Sequence, residues 1–158
     1  MPFGKQGESS KGSSLPPGQL PWSVIYYRAA SGSAPALDFL SGCSTAIRAQ
    51  FAAVLDAVAG APPPRFSGGG LWEVMHGDMG GWYEIRVIGP RREQFRLFCL
   101  LENGASDELA RRGLSRPAIA VITGMQKPWR TAFSERDYEY VRRLGDEHRQ
   151  NFPRKLAQ

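Results

Sequence analysis

The sequence predicts an α+β domain in which a small antiparallel sheet carries a helical hairpin near the N-terminus and one helix at the C-terminus. Three observations predict it. A β-branched and aromatic run precedes an apolar stripe of helical period, further strand-like runs are joined by glycine-containing turns, and a helix-start signature stands at Ser134. With 158 residues, 42% hydrophobic and 22% charged, the chain suits one core rather than two large domains.

Residues 1–21, MPFGKQGESSKGSSLPPGQLP, are dense in Gly, Ser and Pro and are expected to form a disordered tail ahead of a single domain over 22–150. WSVIYYR (Trp22 to Arg28) reads as a strand. A short helix follows, with Ser33 as cap, Pro35 in the first turn and Gly42 as stop. In the next helix Ile47, Phe51, Val54, Leu55 and Val58 form one stripe, with Ser44 or Thr45 as cap and Gly60 as stop. The pattern then alternates in LWEVMH (71–76), WYEIRV (82–87) and FRLFCLL (95–101), whose connections have hairpin length, and PAIAVIT (117–123) adds a further strand. Residues 103–116 are expected as a surface excursion with a little helix. The last helix opens at Ser134 with Asp137 three residues on and a Phe133/Tyr138 staple, and 151–158 are expected to fray. Ile47, Phe51, Leu55, Ile85, Val87, Leu97, Cys99, Ile119 and Val121 are expected to share one core.

Cys43 and Cys99 stand apart from any CxxC or Cys/His spacing, which excludes a zinc finger and predicts two reduced, buried thiols in a cytoplasmic protein. No metal or other cofactor is expected, since His76 and Asp78 lack further ligands of fitting spacing. No stretch reaches the length of a membrane span, so no membrane partner is expected. The net charge of +5 favours an acidic partner only modestly, so the placement of the cations has to decide.

Alternation within WYEIRV puts Ile85 and Val87 on the core face and Glu84 and Arg86 on the other, where Arg86 meets a phosphate or pairs with Glu84. Arg96 shares its face with Phe98 and Leu100, so it either reaches a ligand or partners Glu84 or Glu73. Lys127 and Arg130 bracket Trp129, a pattern that can hold a nucleic-acid backbone and stack a base, or form a solvated loop with the indole tucked under the helix. His76, at a glycine-flanked turn, is the histidine that could shuttle a proton.

The series GGLWEV (Gly69 to Val74), YEIRV (Tyr83 to Val87), FRLF (Phe95 to Phe98) and TGMQKPWRT (Thr123 to Thr131) ahead of a helix resembles the RelE/HigB type of bacterial toxin, particularly the phage-derived HigB-like branch of the RelE/ParE superfamily. The resemblance spans Trp22 to Gly145. It departs at Gln126, where the family's first Lys would stand, at Ala132 in place of Pro, and in the long excursion 103–116. It implies a RelE-like twisted sheet flanked by helices. It further implies the toxin of a type II toxin-antitoxin system: a metal-independent endoribonuclease that cuts mRNA, often on the ribosome, and is held by a cognate antitoxin, expected to be a helix-turn-helix protein. Arg86, Arg96, Lys127 and His76 are then the candidate catalytic residues, with Arg130, Trp129 and Glu84 as RNA contacts. A ParE-like gyrase inhibitor without catalysis and an inactive RNA-binding module stand as alternatives, the latter favoured by Gln126.

Overall fold

The computed structural model describes residues 21–61, 63, 66 and 70–157, so all of the expected tail but Pro21 lies outside the described residues. In chain order the elements are β1 (Ser23–Tyr27), α1 (Pro35–Ser41), α2 (Thr45–Gly60), β2 (Trp72–Val74), β3 (Trp82–Ile88) and β4 (Gln94–Glu102). They continue with α3 (Ser106–Arg111), β5 (Ala118–Lys127), α4 (Glu135–Gln150) and β6 (Leu156–Ala157). The fold is α+β, with a six-stranded sheet in the order β2-β3-β4-β5-β1-β6. It is antiparallel except where β1 and β5 run parallel. That exception follows from the chain path, because β1 reaches β5 only through both helices and the whole β2–β4 meander. The continuous apolar start of β5 fits a strand covered on both faces, and Ala118 to Ile122 are fully buried.

The helix ends are set by local chemistry. The Ser44 hydroxyl accepts from the Ile47 amide to open α2, and Ser134 and Asp137 form a reciprocal capping box at α4. At α1 the expected cap fails: Ala34 occupies the N-cap, and the Ser33 hydroxyl hydrogen-bonds that of Ser31 instead. Pro35 at the first turn supplies the preset φ that starts the helix without a capping side chain.

Two large cores flank the sheet, and Leu109, Leu114 and Ala118 form a small third cluster. The nine residues expected to pack together all lie in the core between α1, α2 and one sheet face, with both thiols free and buried among them. The other core lies under α4, where Val141 and Leu144 meet Trp82, Phe98, Leu100, Ala120 and Ile122. No helix among the described residues is long and apolar enough to cross a membrane.

The C-terminal segment, expected to fray, is instead built in. β6 pairs with β1, and the Arg154 Nε donates to Glu102 Oε1 at 3.1 Å. Arg112 and His148 bond the same carboxylate at 3.2 and 3.0 Å. A two-residue strand has no periodicity to read, and its anchor is an ion pair 52 residues away in sequence.

A bulge in β5 decides which side chains face α4. Phe98 pairs with Thr123 but Cys99 with Val121, so Ile122 is the extra residue. Beyond it the alternation reverses, turning Met125 and Lys127 toward α4 and Gly124 and Gln126 toward α1.

Candidate active site

At the N-terminal end of α4 the sheet is left uncovered, and a cleft of about 360 Å³ opens there. Its floor is Glu84 and Arg86 from β3 with Gln94 and Arg96 from β4, and its wall is Arg130 to Phe133 from the β5–α4 loop with Tyr138 from α4. This volume is at the small end of ligand sites, enough for a nucleotide-sized fragment. The in-register pairing Arg86↔Arg96 brings two cations side by side across a ladder step, and Glu84, two register pairs along on the same face, makes that tolerable.

Glu84 is buried and takes the Arg86 Nε on Oε1 at 2.7 Å while the Arg96 Nε lies 3.8 Å from Oε2. The two arginines are placed differently. Arg96, its side chain 10% exposed, gives its terminal nitrogens to the Phe95 carbonyl (3.2 Å) and Gln94 Oε1 (2.7 Å) and lies 5.7 Å from the Phe133 ring centre. Burial, ahead of the nearby Arg86 charge, lowers its pKa, against the attraction of Glu84. Arg86, with its side chain 45% exposed, is held by Nε alone, so among the described residues both terminal nitrogens are unengaged. Burial pulls Arg86 down, but the hydrogen bond and charge of Glu84 outweigh it and the group is raised. Such a tethered guanidinium presents a fork to a phosphate.

Arg130 has no carboxylate partner among the described residues and adds a third cation against the single carboxylate of the lining. Tyr138 stands where these charges meet. Burial and the Glu84 charge raise its phenol, over the opposing pull of Arg96 and Arg86, so at neutral pH it is a hydroxyl that can donate. Phe133 closes the floor against Phe98 and Tyr138, at ring distances of 6.2 and 6.4 Å, as the staple requires.

Of the sequence-predicted residues, Glu84, Arg86, Arg96 and Arg130 converge on the cleft. Lys127 does not line it: its Nζ pairs with Asp137 at 3.1 Å at the start of α4. His76 is exposed ahead of the short 3₁₀ helix Gly77–Met79, at the Trp82 end of β3. Arg86 is four residue steps of strand from Trp82, roughly 13 Å, and the imidazole is outside the cleft. Trp129 is neither in the cleft nor under the helix but exposed beside it. Gln126 faces α1 because of the β5 bulge and does not line the cleft.

Sequence reasoning missed Tyr138 and Gln94 as parts of the site. Tyr138 had a signal, since a helix-opening aromatic after a basic loop must face whatever that loop encloses. Among the described residues no three His, Cys, Asp or Glu side chains converge to hold a metal ion. No family model, curated protein or solved structure matches the chain.

Proposed function

We propose that the cleft binds the phosphate of an RNA strand and cleaves it by attack of the adjacent 2′-hydroxyl, and that the chain is the mRNA-cutting toxin of a toxin-antitoxin pair. The observation that carries the reading is the free fork of Arg86, fixed by Glu84 and set beside Arg96 and Arg130 in a cleft with a protonated tyrosine. Attack forms the bond from O2′ to phosphorus and breaks the bond from phosphorus to O5′, leaving a 2′,3′-cyclic phosphate and a 5′-hydroxyl. Arg86 and Arg130 stabilise the charge on the phosphoryl oxygens, a contribution that reaches about 10²–10³ in rate for one preorganised donor. Glu84 is the one carboxylate lining the cleft and accepts the 2′-hydroxyl proton on Oε2, the oxygen that the Arg86 hydrogen bond leaves open, while Tyr138 protonates the leaving oxygen. Arg96, engaged by Gln94 and Phe95, acts from beneath as a fixed charge. The toxin assignment, with messenger RNA as substrate and an antitoxin as partner, rests on the motif resemblance together with this cleft.

One observation favours a second reading, RNA binding without cleavage: both Glu84 oxygens already face guanidinium groups, that of Arg86 at 2.7 Å and that of Arg96 at 3.8 Å. Expression in bacteria without an antitoxin separates the two. Growth arrest with discrete transcript cuts, abolished by Arg86→Ala, is expected of the nuclease. Intact transcripts would leave the binding module, and arrest with relaxed or broken DNA would favour gyrase inhibition.

A further inference from the structure

Trp129 is 49% exposed, yet its ring is framed by two guanidinium groups, Arg92 at 4.9 Å and Arg130 at 4.4 Å from the ring centre. These arginines come from different loops, the β3–β4 hairpin and the β5–α4 connection. They are also the two non-glycine residues with positive φ among the described residues, at 59° and 64°. The hairpin explains the first: Gly89 and Glu93 close a loop of Pro90, Arg91 and Arg92, a geometry whose last position ordinarily takes glycine. Arginine there is the costlier residue, and its side chain takes no carboxylate among the described residues; it lies against Trp129. Gln94 Nε2 donates to the Thr131 carbonyl at 3.3 Å, tying the hairpin to the loop that carries the indole. Gln94, Arg130 and Thr131 all line the cleft, so the framed ring is fixed directly beside it.

An exposed aromatic in contact with two cations that take no acidic partner among the described residues has the chemistry of a base platform. Stacking of a base on an indole is stronger than an exposed cation–π contact, so an unpaired base displaces the Arg92 guanidinium, which is then free for the backbone. A duplex keeps its bases inside and has nothing to offer the ring. We propose that Trp129, framed by Arg92 and Arg130, is a stacking subsite for the base next to the phosphate held in the cleft, and that it selects single-stranded RNA. This rests on the phosphate reading of the cleft, with Arg130 shared between the two places.

The test is fluorescence anisotropy with two probes: a short labelled single-stranded 2′-O-methyl oligonucleotide, which lacks the attacking hydroxyl, and the same backbone without bases. Trp129→Ala is expected to weaken the base-bearing probe by roughly 5- to 150-fold and leave the abasic probe unchanged, with Trp129→Phe retaining most of the affinity. Arg86→Ala is expected to weaken both probes alike. If Arg86→Ala weakens both while Trp129→Ala changes neither, or both equally, the stacking subsite is wrong and the cleft reading stands. If Arg86→Ala changes neither probe, the phosphate reading falls and the subsite loses its neighbour. The Trp129 side chain is on the surface, and circular dichroism of each variant checks that the fold is intact.

Discussion

Glu102→Gln removes the charge at the centre of the C-terminal anchor while keeping its shape. In the native protein the Glu102 side chain is 4% exposed and faces His148, Arg112 and Arg154, whose own side chain is 5% exposed. Burial alone would raise the carboxyl, but the hydrogen bonds from His148 and Arg154 and the Arg154 charge bring it from 4.5 down to about 2. A depressed carboxyl contributes stability that is complete above the unfolded value and is lost as pH falls through the folded one. The window is therefore pH 5 to 2, and at about 1.4 kcal/mol per pH unit the gap corresponds to roughly 3 kcal/mol. At pH 7 the variant also leaves Arg154 buried without its counter-charge, a change that typically costs about 3–5 kcal/mol. Urea unfolding followed by circular dichroism at a series of pH values reads both numbers. The variant should be several kcal/mol less stable at pH 7 and should lack the acid-dependent loss assigned to this group. Equal stability at pH 7, or the same fall from pH 5 to 2 as the native chain, would refute the assigned role.

Three further substitutions test the packing around the cleft and under α4. Arg96→Ala, which removes hydrogen bonds to Gln94 and the Phe95 carbonyl and the contact with Phe133, should lower stability by about 1.5–3 kcal/mol in chemical denaturation, and Arg86→Ala, which leaves the buried Glu84 carboxylate without its hydrogen bond, should lower it by about 1–3 kcal/mol. Gly145→Ala sets two effects against each other: an interior helix position gains about 1 kcal/mol from alanine, but the new methyl would run into the buried Trp82 indole, an overpacking that costs about 1–3 kcal/mol. Net destabilisation in a thermal melt is expected, and a raised Tm would show that the α4–Trp82 contact can relax.

The helices and the meander were legible because their signals are local. The stripe from Ile47 to Val58 and the box at Ser134 are each complete within one element. The convergence of Glu84, Arg86 and Arg96 was legible too, since strand alternation alone puts them on one face. What escaped depended on pairs distant in sequence. The bulge at Ile122 reverses the facing of Gln126 and Lys127, and nothing in TGMQK announces it. Lys127 is claimed by Asp137, a residue that reads as part of a cap, and Arg154, just ahead of β6, is held by Glu102, 52 residues away. The distance of His76 from the cleft is a matter of which end of β3 its turn joins. Arg92 looks like an ordinary basic turn residue until its φ of 59° and the ring beside it are seen.

The most direct test of the cleft is the chemistry of its product ends. The purified chain is incubated with single-stranded RNA, the cut position is mapped, and the reaction is repeated with a 2′-deoxy nucleotide at the position 5′ to the cut. Products ending in 2′,3′-cyclic phosphate and 5′-hydroxyl are expected, with cleavage lost on the 2′-deoxy substrate and reduced at least about 100-fold by Arg86→Ala. Cleavage that persists on the 2′-deoxy substrate, or an Arg86→Ala protein as active as the native one, would contradict it.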